Sequence, residues 1–524
     1  MSSTSKFLRD LAKKTNTASA ARAVLKATHL KSGPGRLSDP RIGLPASVLP
    51  KGGNRITAEN AKAGSADWRM GEGKSRPGTD YERQIKGYAS TDSVALGEAI
   101  DFHIAAEPAG SVTVSVYRLG YYAGASARRV LVSPTLTTGP QPVPTPDAET
   151  GRIALEWPVA WTLDIPKDWT SGTYVAVLDK ADGFRNYVPF VVRDDDASAD
   201  FLVVLPSTSW QAYNWWPRDG ITGRNVYYGY VTKEAAEQDA TLKAKYSADA
   251  RGWISNPARA TQVSFARPYF ADGLPDGFVR EQSFIQWAEG MGYDLTYATG
   301  LDLHAGRIDP TKYRGLIFAG HDEYWSTDMY RHAEEAVAAG TSLAFLTANN
   351  AYWHVRYDDA TRTMSCYKGF EDPHVEDFPT GMWRAGEGHP RAEQQLMGVQ
   401  YSGILKGRHP LVVSETEHWF WEGTGLKDGD EIPNLLGGEA DSFFKNMPKA
   451  KAEEQAFLTA SPYTISNGTQ FVQNTSVYRA PSGAWVFTAG TFLWPLGLGH
   501  PGYQDKRVTR AMANFLQRAK GAKE

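Results

Sequence analysis

The chain is nearly without cysteine: one thiol, Cys366, in 524 residues. A single thiol excludes an intrachain disulfide and any cysteine-built zinc cluster. It follows a polar stretch with no nucleophile-elbow context, which gives it a structural reading. Long apolar runs are also missing, and none approaches the ~18 residues needed to cross a bilayer. Neither sign of charge dominates, with 56 Lys plus Arg against 59 Asp plus Glu and a net charge of −3. That balance excludes a nucleic-acid binder relying on bulk positive charge. No Gly-x-Ser-x-Gly or Gly-x-Cys-x-Gly elbow is present, nor a phosphate loop, nor a Gly-x-Gly-x-x-Gly after a strand. Covalent Ser or Cys catalysis at an elbow and nucleotide chemistry are therefore not expected. What is abundant is Trp (16), Tyr (25) and Gly (50), a composition suited to aromatic surfaces displayed from turns.

Three regions differ in texture. Residues 1–79 are an N-terminal arm. Its first 30 residues are basic, with Phe7, Leu8, Leu11 and Ala12 at the spacing of a short amphipathic helix. They carry no continuous apolar core of a secretory signal, from which a cytoplasmic location is expected. Residues 31–81, rich in Gly, Pro, Ser and Asn, read as an extended wrapping segment. Residues 80–196 hold short β-branched or aromatic runs separated by turns, the pattern of an immunoglobulin-like β-sandwich. Inside it, Val116-Tyr-Arg-Leu-Gly-Tyr-Tyr-Ala-Gly124 suits a tight turn that presents tyrosines to a neighbouring surface, by packing between domains or by contact with a substrate.

From residue 197 to 524 the pattern becomes α/β. Phe201–Leu205, Gly315–Ala319 and Ser342–Thr347 are continuous apolar runs, as expected of strands buried on both faces. Helical segments over Phe284–Met291, Thr327–Ala339 and Lys506–Ala519 alternate with them, and Trp485–Ala489 adds a late strand. The expectation is a mainly parallel, doubly wound, amidotransferase-like sheet. The functional crevice would then lie beyond the C-terminal strand ends. Four such ends are followed by aromatic and polar clusters: Ser207–Trp216, Gly320-His-Asp-Glu-Tyr-Trp325, Ala348-Asn-Asn-Ala-Tyr-Trp353 and Gly490-Thr-Phe-Leu-Trp494. One aromatic-lined pocket is expected, with Trp210, Tyr213, Trp215, Trp325, Asn350, Trp353, Trp383 and Trp494 contacting substrate. His321, Asp322, Glu323 and Tyr324 could bind a hard metal or carry protons. Asn214 and Asn349 would orient or polarise substrate. Glu415–Trp421 reads as an exposed loop or lid, and His500 as structural.

The His-x-Glu-Tyr element after a buried strand resembles the large (β) subunit family of N,N-dimethylformamidase. Further matches are Trp210-Gln-Ala-Tyr-Asn214, Val263-Ser-Phe-Ala-Arg-Pro-Tyr269, Gly292-Tyr-Asp-Leu-Thr-Tyr-Ala-Thr299 with Asp302-Leu-His304, the Asn-Asn-Ala-Tyr-Trp turn, Gly398-Val-Gln-Tyr401 and Gly490–Trp494. The resemblance implies hydrolysis of a small amide at a mononuclear iron held by two tyrosinates and a glutamate. Tyr324 matches one tyrosine, Ser283 stands where the second would be, and Glu376 or Glu393 would supply the carboxylate. Glu323 or Glu393 would serve as base. The partner implied is a small-molecule substrate, and self-association is left open. Two other functions also remain open: metal-free chemistry on a bulky or cationic intermediate held in an aromatic cage, of cyclase or lyase type, and non-catalytic carbohydrate or surface binding.

Overall fold

The computed structural model describes residues 38–522 apart from 72–74, 233, 235–251, 256, 369–371, 375–378, 386–390 and 466. The amphipathic helix expected within residues 1–30 lies outside the described residues. Two sheets form over residues 76–193. The larger runs Arg76–Pro77, Phe184–Arg193, Gly172–Lys180, Gly110–Leu119 and Ala127–Val132, with Ser93–Ala95 and Leu136–Thr138 attached. The smaller joins Lys86–Ala89, Ala99–Ala105 and Val159–Asp164. Strand alternation sends Val112, Val114 and Val116 into a core with Ile100, Phe102 and Ile104 of the facing sheet. The intervening set has another destination: Tyr117, Leu119, Val175 and Val177 belong to the core shared with the rest of the chain. Both faces of the central strands Gly172–Lys180 and Phe184–Arg193 are therefore largely buried.

The second seven-stranded sheet has the order Leu295–Thr299, Phe201–Leu205, Gly315–Phe318, Ser342–Phe345, Trp485–Thr488, Ser476–Arg479, Glu454–Phe457. The first five are parallel and the last two antiparallel. The expected doubly wound α/β fold is not what the chain forms. Strand accounts for 33% and helix for 19%, and the described strands are divided among eight sheets. The apolar runs are real strands, but much of the sequence between them builds small β-sheets instead of crossover helices. Thus Gln262–Ser264 pairs with Thr363–Ser365, and Gln400–Val412 forms a long irregular ladder with Glu431–Ser442.

Three helices brace this sheet. Thr327–Ala338 starts where the Ser326 side chain accepts from the Met329 N–H, and Lys506–Gly521 where Asp505 accepts from Arg507. The helix Val279–Met291 is different, because every residue in it is buried although it carries Arg280, Glu281, Gln282, Ser283, Gln286 and Glu289. Polar groups in such a place are costly unless each finds a partner. Glu289 finds Arg118, fully buried in the Tyr-Arg-Leu-Gly-Tyr-Tyr turn, whose two terminal nitrogens donate at 2.9 and 2.8 Å. Burial opposes the charge on Arg118, but Glu289 raises its pKa well above the ordinary value. The Tyr297 hydroxyl donates to the same carboxylate at 2.7 Å. From the arm, Asn60 donates to Glu289 at 2.7 Å and accepts from the backbone N–H of Tyr121 and Tyr122. The Tyr122 hydroxyl donates to Glu59. The two-tyrosine turn is a joint between arm, sandwich and helix, which is the packing role.

Removing one charge of a buried pair strands the other at a cost of about 3–5 kcal/mol. Arg118→Met is expected to lower the denaturant-unfolding free energy by that order. Adding Glu289→Leu should recover most of the loss.

Candidate functional site

The C-terminal ends of three parallel strands bring their loops to one carboxylate, that of Glu323. Ser209, in the short helix Ser207–Tyr213 after the first strand, accepts from the backbone N–H of Glu323 at 2.8 Å and of Tyr324 at 3.3 Å. Thr208 donates to the Tyr324 carbonyl. These bonds fix the His-Asp-Glu-Tyr loop against the end of the sheet. Tyr213, one turn on, donates to Glu323 Oε2 at 2.5 Å. Tyr227 donates to the same carboxylate at 3.0 Å, and its hydroxyl lies 2.9 Å from that of Tyr213. The Tyr324 hydroxyl donates to Tyr227 at 2.6 Å. His321 Nε2 lies 3.2 Å from Glu323 Oε2 and 3.3 Å from the Tyr213 hydroxyl.

A second carboxylate approaches from the long ladder. Asn349, held at φ +55° in the tight turn after Ser342–Phe345, donates through Nδ2 to Glu323 at 3.2 Å and to Glu439 at 2.8 Å. Asparagine is among the few residues that tolerate this left-handed backbone. Glu439 Oε2 is 3.8 Å from His321 Nε2. Two buried carboxylates so close cannot both ionise readily. Burial alone would raise Glu323, but hydrogen bonding to His321 and the positive charge of Lys368 hold it below the usual range. Glu439 is pushed well above that range by burial and by the charge on Glu323. The pair therefore carries one negative charge. Lys368 places its ammonium 3.4 Å from the Tyr227 ring centre and 4.6 Å from that of Trp353. Burial lowers its pKa to about 8. The phenols of Tyr213, Tyr227 and Tyr324 are raised well above 10 by burial and by Glu323.

Beside this cluster is a narrow pocket lined by Ser209, Trp210, Tyr213, Asp276, Arg280, Glu281 and His321. Its free volume is about 10 Å³, room for roughly one water. Phe492 closes this side, its ring 4.4 Å from that of His321 and 5.1 Å from the Arg280 guanidinium.

Of the residues expected at the site, His321, Glu323, Tyr324, Tyr213 and Asn349 meet in the cluster. Trp353 borders it through Lys368, and Trp210 lines the pocket. The others go elsewhere. Asn214 is a structural clamp, donating to Gln211 and the Pro268 carbonyl and accepting from the N–H of Trp216 and Phe270. Asn350 is consumed by Thr347 of its own turn and by the Asp322 N–H of the neighbouring loop. Asp322 is fully buried, where desolvation pushes its pKa up to about 8. Glu393 is paired with Arg384 in a buried bidentate bridge. Trp215 stacks on Tyr230, Trp325 packs on Phe318, Trp383 on Tyr330 and Trp494 on Phe487, so these four indoles are core and not pocket lining. Glu376 lies outside the described residues. Ser283 hydrogen-bonds its own helix at Val279. Sequence reasoning missed Tyr227, Lys368, Glu439, Glu281 and Phe492. The one local signal was Phe492, which sits in the loop already singled out after the last strand.

Among the described residues no three His, Cys, Asp or Glu side chains converge to hold a metal, and no helix is long and apolar enough to cross a membrane. The converging groups are largely phenolic. Residues 113–506 match the model described as N,N-dimethylformamidase beta subunit-like, C-terminal. The chain belongs to that family. No match is found among curated proteins. Among solved structures, similarity extends to the sporulation control protein Spo0M of Bacillus subtilis (13% identity, 21% of this chain, 48% of that one, TM-score 0.15). It extends also to an uncharacterized protein of Bacillus anthracis (17% identity, 22% and 84%, TM-score 0.13). A third is the cycloisomaltooligosaccharide glucanotransferase of a Paenibacillus species (10% identity, 63% and 61%, TM-score 0.17). The chain thus spans about half the length of the first of these.

The site also imposes a pH dependence. Asp441 accepts the Asn349 N–H at 2.9 Å, and burial lifts its pKa to about 7. A carboxyl raised on folding favours the native state at low pH, and that contribution is lost as pH climbs from about 4 through 7. Asp441→Asn keeps the acceptor and removes the titration. The stability of the variant relative to wild type should rise between pH 5 and pH 8 in urea melts.

Proposed function

We propose that the protein hydrolyses the carbon–nitrogen bond of a small amide at the Tyr213–Tyr227–Glu323 cluster. The observation that carries this reading is the convergence of two phenols on one buried carboxylate, next to an imidazole and a pocket of about 10 Å³. The indoles that would have built an aromatic cage for a bulky intermediate are mostly in the core, packed on Tyr230, Phe318, Tyr330 and Phe487.

The donor set also fits the iron implied by the family resemblance, through different residues from those the sequence suggested. Tyr213, Tyr227 and Glu323 are two phenols and a carboxylate within hydrogen-bonding distance of one another. Hard oxygen donors of this kind suit a ferric ion, and these three residues would hold it. When bound, the metal would supply Lewis acidity and acidify water. The phenols, raised well above 10, must shed their protons on uptake, so loading would weaken as pH falls. His321 lines the pocket and takes the proton of the attacking water. Asn349 holds Glu439 beside it, and Glu439 accommodates the altered charge. Lys368, over the Tyr227 ring, favours the ionised phenol.

Tyr213→Phe, Tyr227→Phe and Glu323→Gln should each lose amide turnover by roughly 10²-fold or more. Metal analysis should show reduced iron uptake in the same three. Tyr324→Phe, which loses only a bond to Tyr227, should retain its metal. Full turnover in Tyr213→Phe and Tyr227→Phe would remove the reading.

A further inference from the structure

One wall of the pocket is unexplained by the roles above. Glu281 stands in the first turn of the wholly buried helix Val279–Met291 and is 1% exposed. Its Oε1 accepts from the Trp210 indole at 3.1 Å, while Oε2 has no hydrogen-bond partner. The chain makes room for this carboxyl deliberately: a Cβ built on Gly320, the residue before His321, would fall 2.0 Å from Glu281 Oε1. A buried acid with one oxygen fixed and the other unsatisfied, in the same small pocket as His321 and Tyr213, is expensive to keep without a use.

We propose that Glu281 is the general acid that protonates the departing amine. The inference rests on the amide-hydrolase reading. Once water has added to the carbonyl carbon and His321 has taken its proton, the C–N bond breaks and its electron pair passes to nitrogen. That nitrogen takes the proton from Glu281 Oε2, leaving acid, amine and the Glu281 carboxylate. The Trp210 N–H and the neighbouring Arg280 guanidinium stabilise the new charge. The proton on His321 then returns to Glu281 through water. Burial keeps Glu281 above the ordinary carboxylate range, against the pull of Arg280 and with a push from Asp276. From the facing loop, Asp322 and His321 are the other titratable groups near it.

The test is leaving-group dependence. Wild type and Glu281→Gln, which preserves the acceptor for Trp210, are assayed on a formyl series from alkylamines to a nitroaniline. Glu281→Gln should lose roughly 10²-fold or more on alkylamides and little on the nitroanilide, whose amine departs without a proton. Equal losses across the series, or none, would overturn the assignment. A wild type inactive on every amide would instead overturn the hydrolase reading. If Glu281→Gln fails to fold, Trp210→Phe serves: losing the indole donor should move the alkaline limb of the alkylamide profile to higher pH. A limb that stays in place would count against the proposal.

Discussion

The energetic centre of the site is one negative charge, on Glu323, buried at the end of a sheet. An isolated ionised carboxylate in such surroundings is prohibitively unfavourable, so donors must be brought to it. Tyr213, Tyr227, Asn349 and His321 provide them, with Lys368 behind Tyr227. These five residues come from separate parts of the chain, and the parallel strands are what bring them together. The same charge determines what its neighbours can be. Burial first, and then the charge on Glu323, push Glu439 well above the ordinary carboxylate range and the three phenols well above 10.

The apolar runs of the central sheet were legible because a strand buried on both faces leaves a continuous hydrophobic signature. Thr327–Ala338 was legible from its periodicity. The doubly wound inference failed because it assumed that the sequence between strands is mostly crossover helix. Pairings such as Gln262–Ser264 with Thr363–Ser365 join residues a hundred positions apart, and no local pattern announces them. The site divides along the same line. His321, Glu323 and Tyr324 stand together in sequence and were read together. Tyr227 and Lys368 are ordinary residues in Tyr-rich and Lys-containing loops until the fold sets one over the other. Glu439 lies in a strand whose alternation gives no hint that it faces another carboxylate. The tryptophans were misread for a related reason: the loops beyond the strand ends are themselves covered by further structure. An indole just after a strand, such as Trp325 or Trp494, is therefore built into one of the two cores that include the sheet's own strands.

The helix Val279–Met291 joins these two themes. A helix buried on every side would ordinarily be apolar throughout, yet this one carries a glutamate near each end. Glu289 is locked to Arg118 of the sandwich and to Asn60 of the arm, while Glu281 stands at the pocket. Eight residues of helix separate them, about 12 Å at the usual rise. The position of the pocket wall is therefore set by an ion pair outside the pocket, and the sandwich is part of the machinery that shapes the site. Arg118 holds the helix through Glu289, the same helix carries Glu281, and Gly320 leaves space for that carboxyl beside His321.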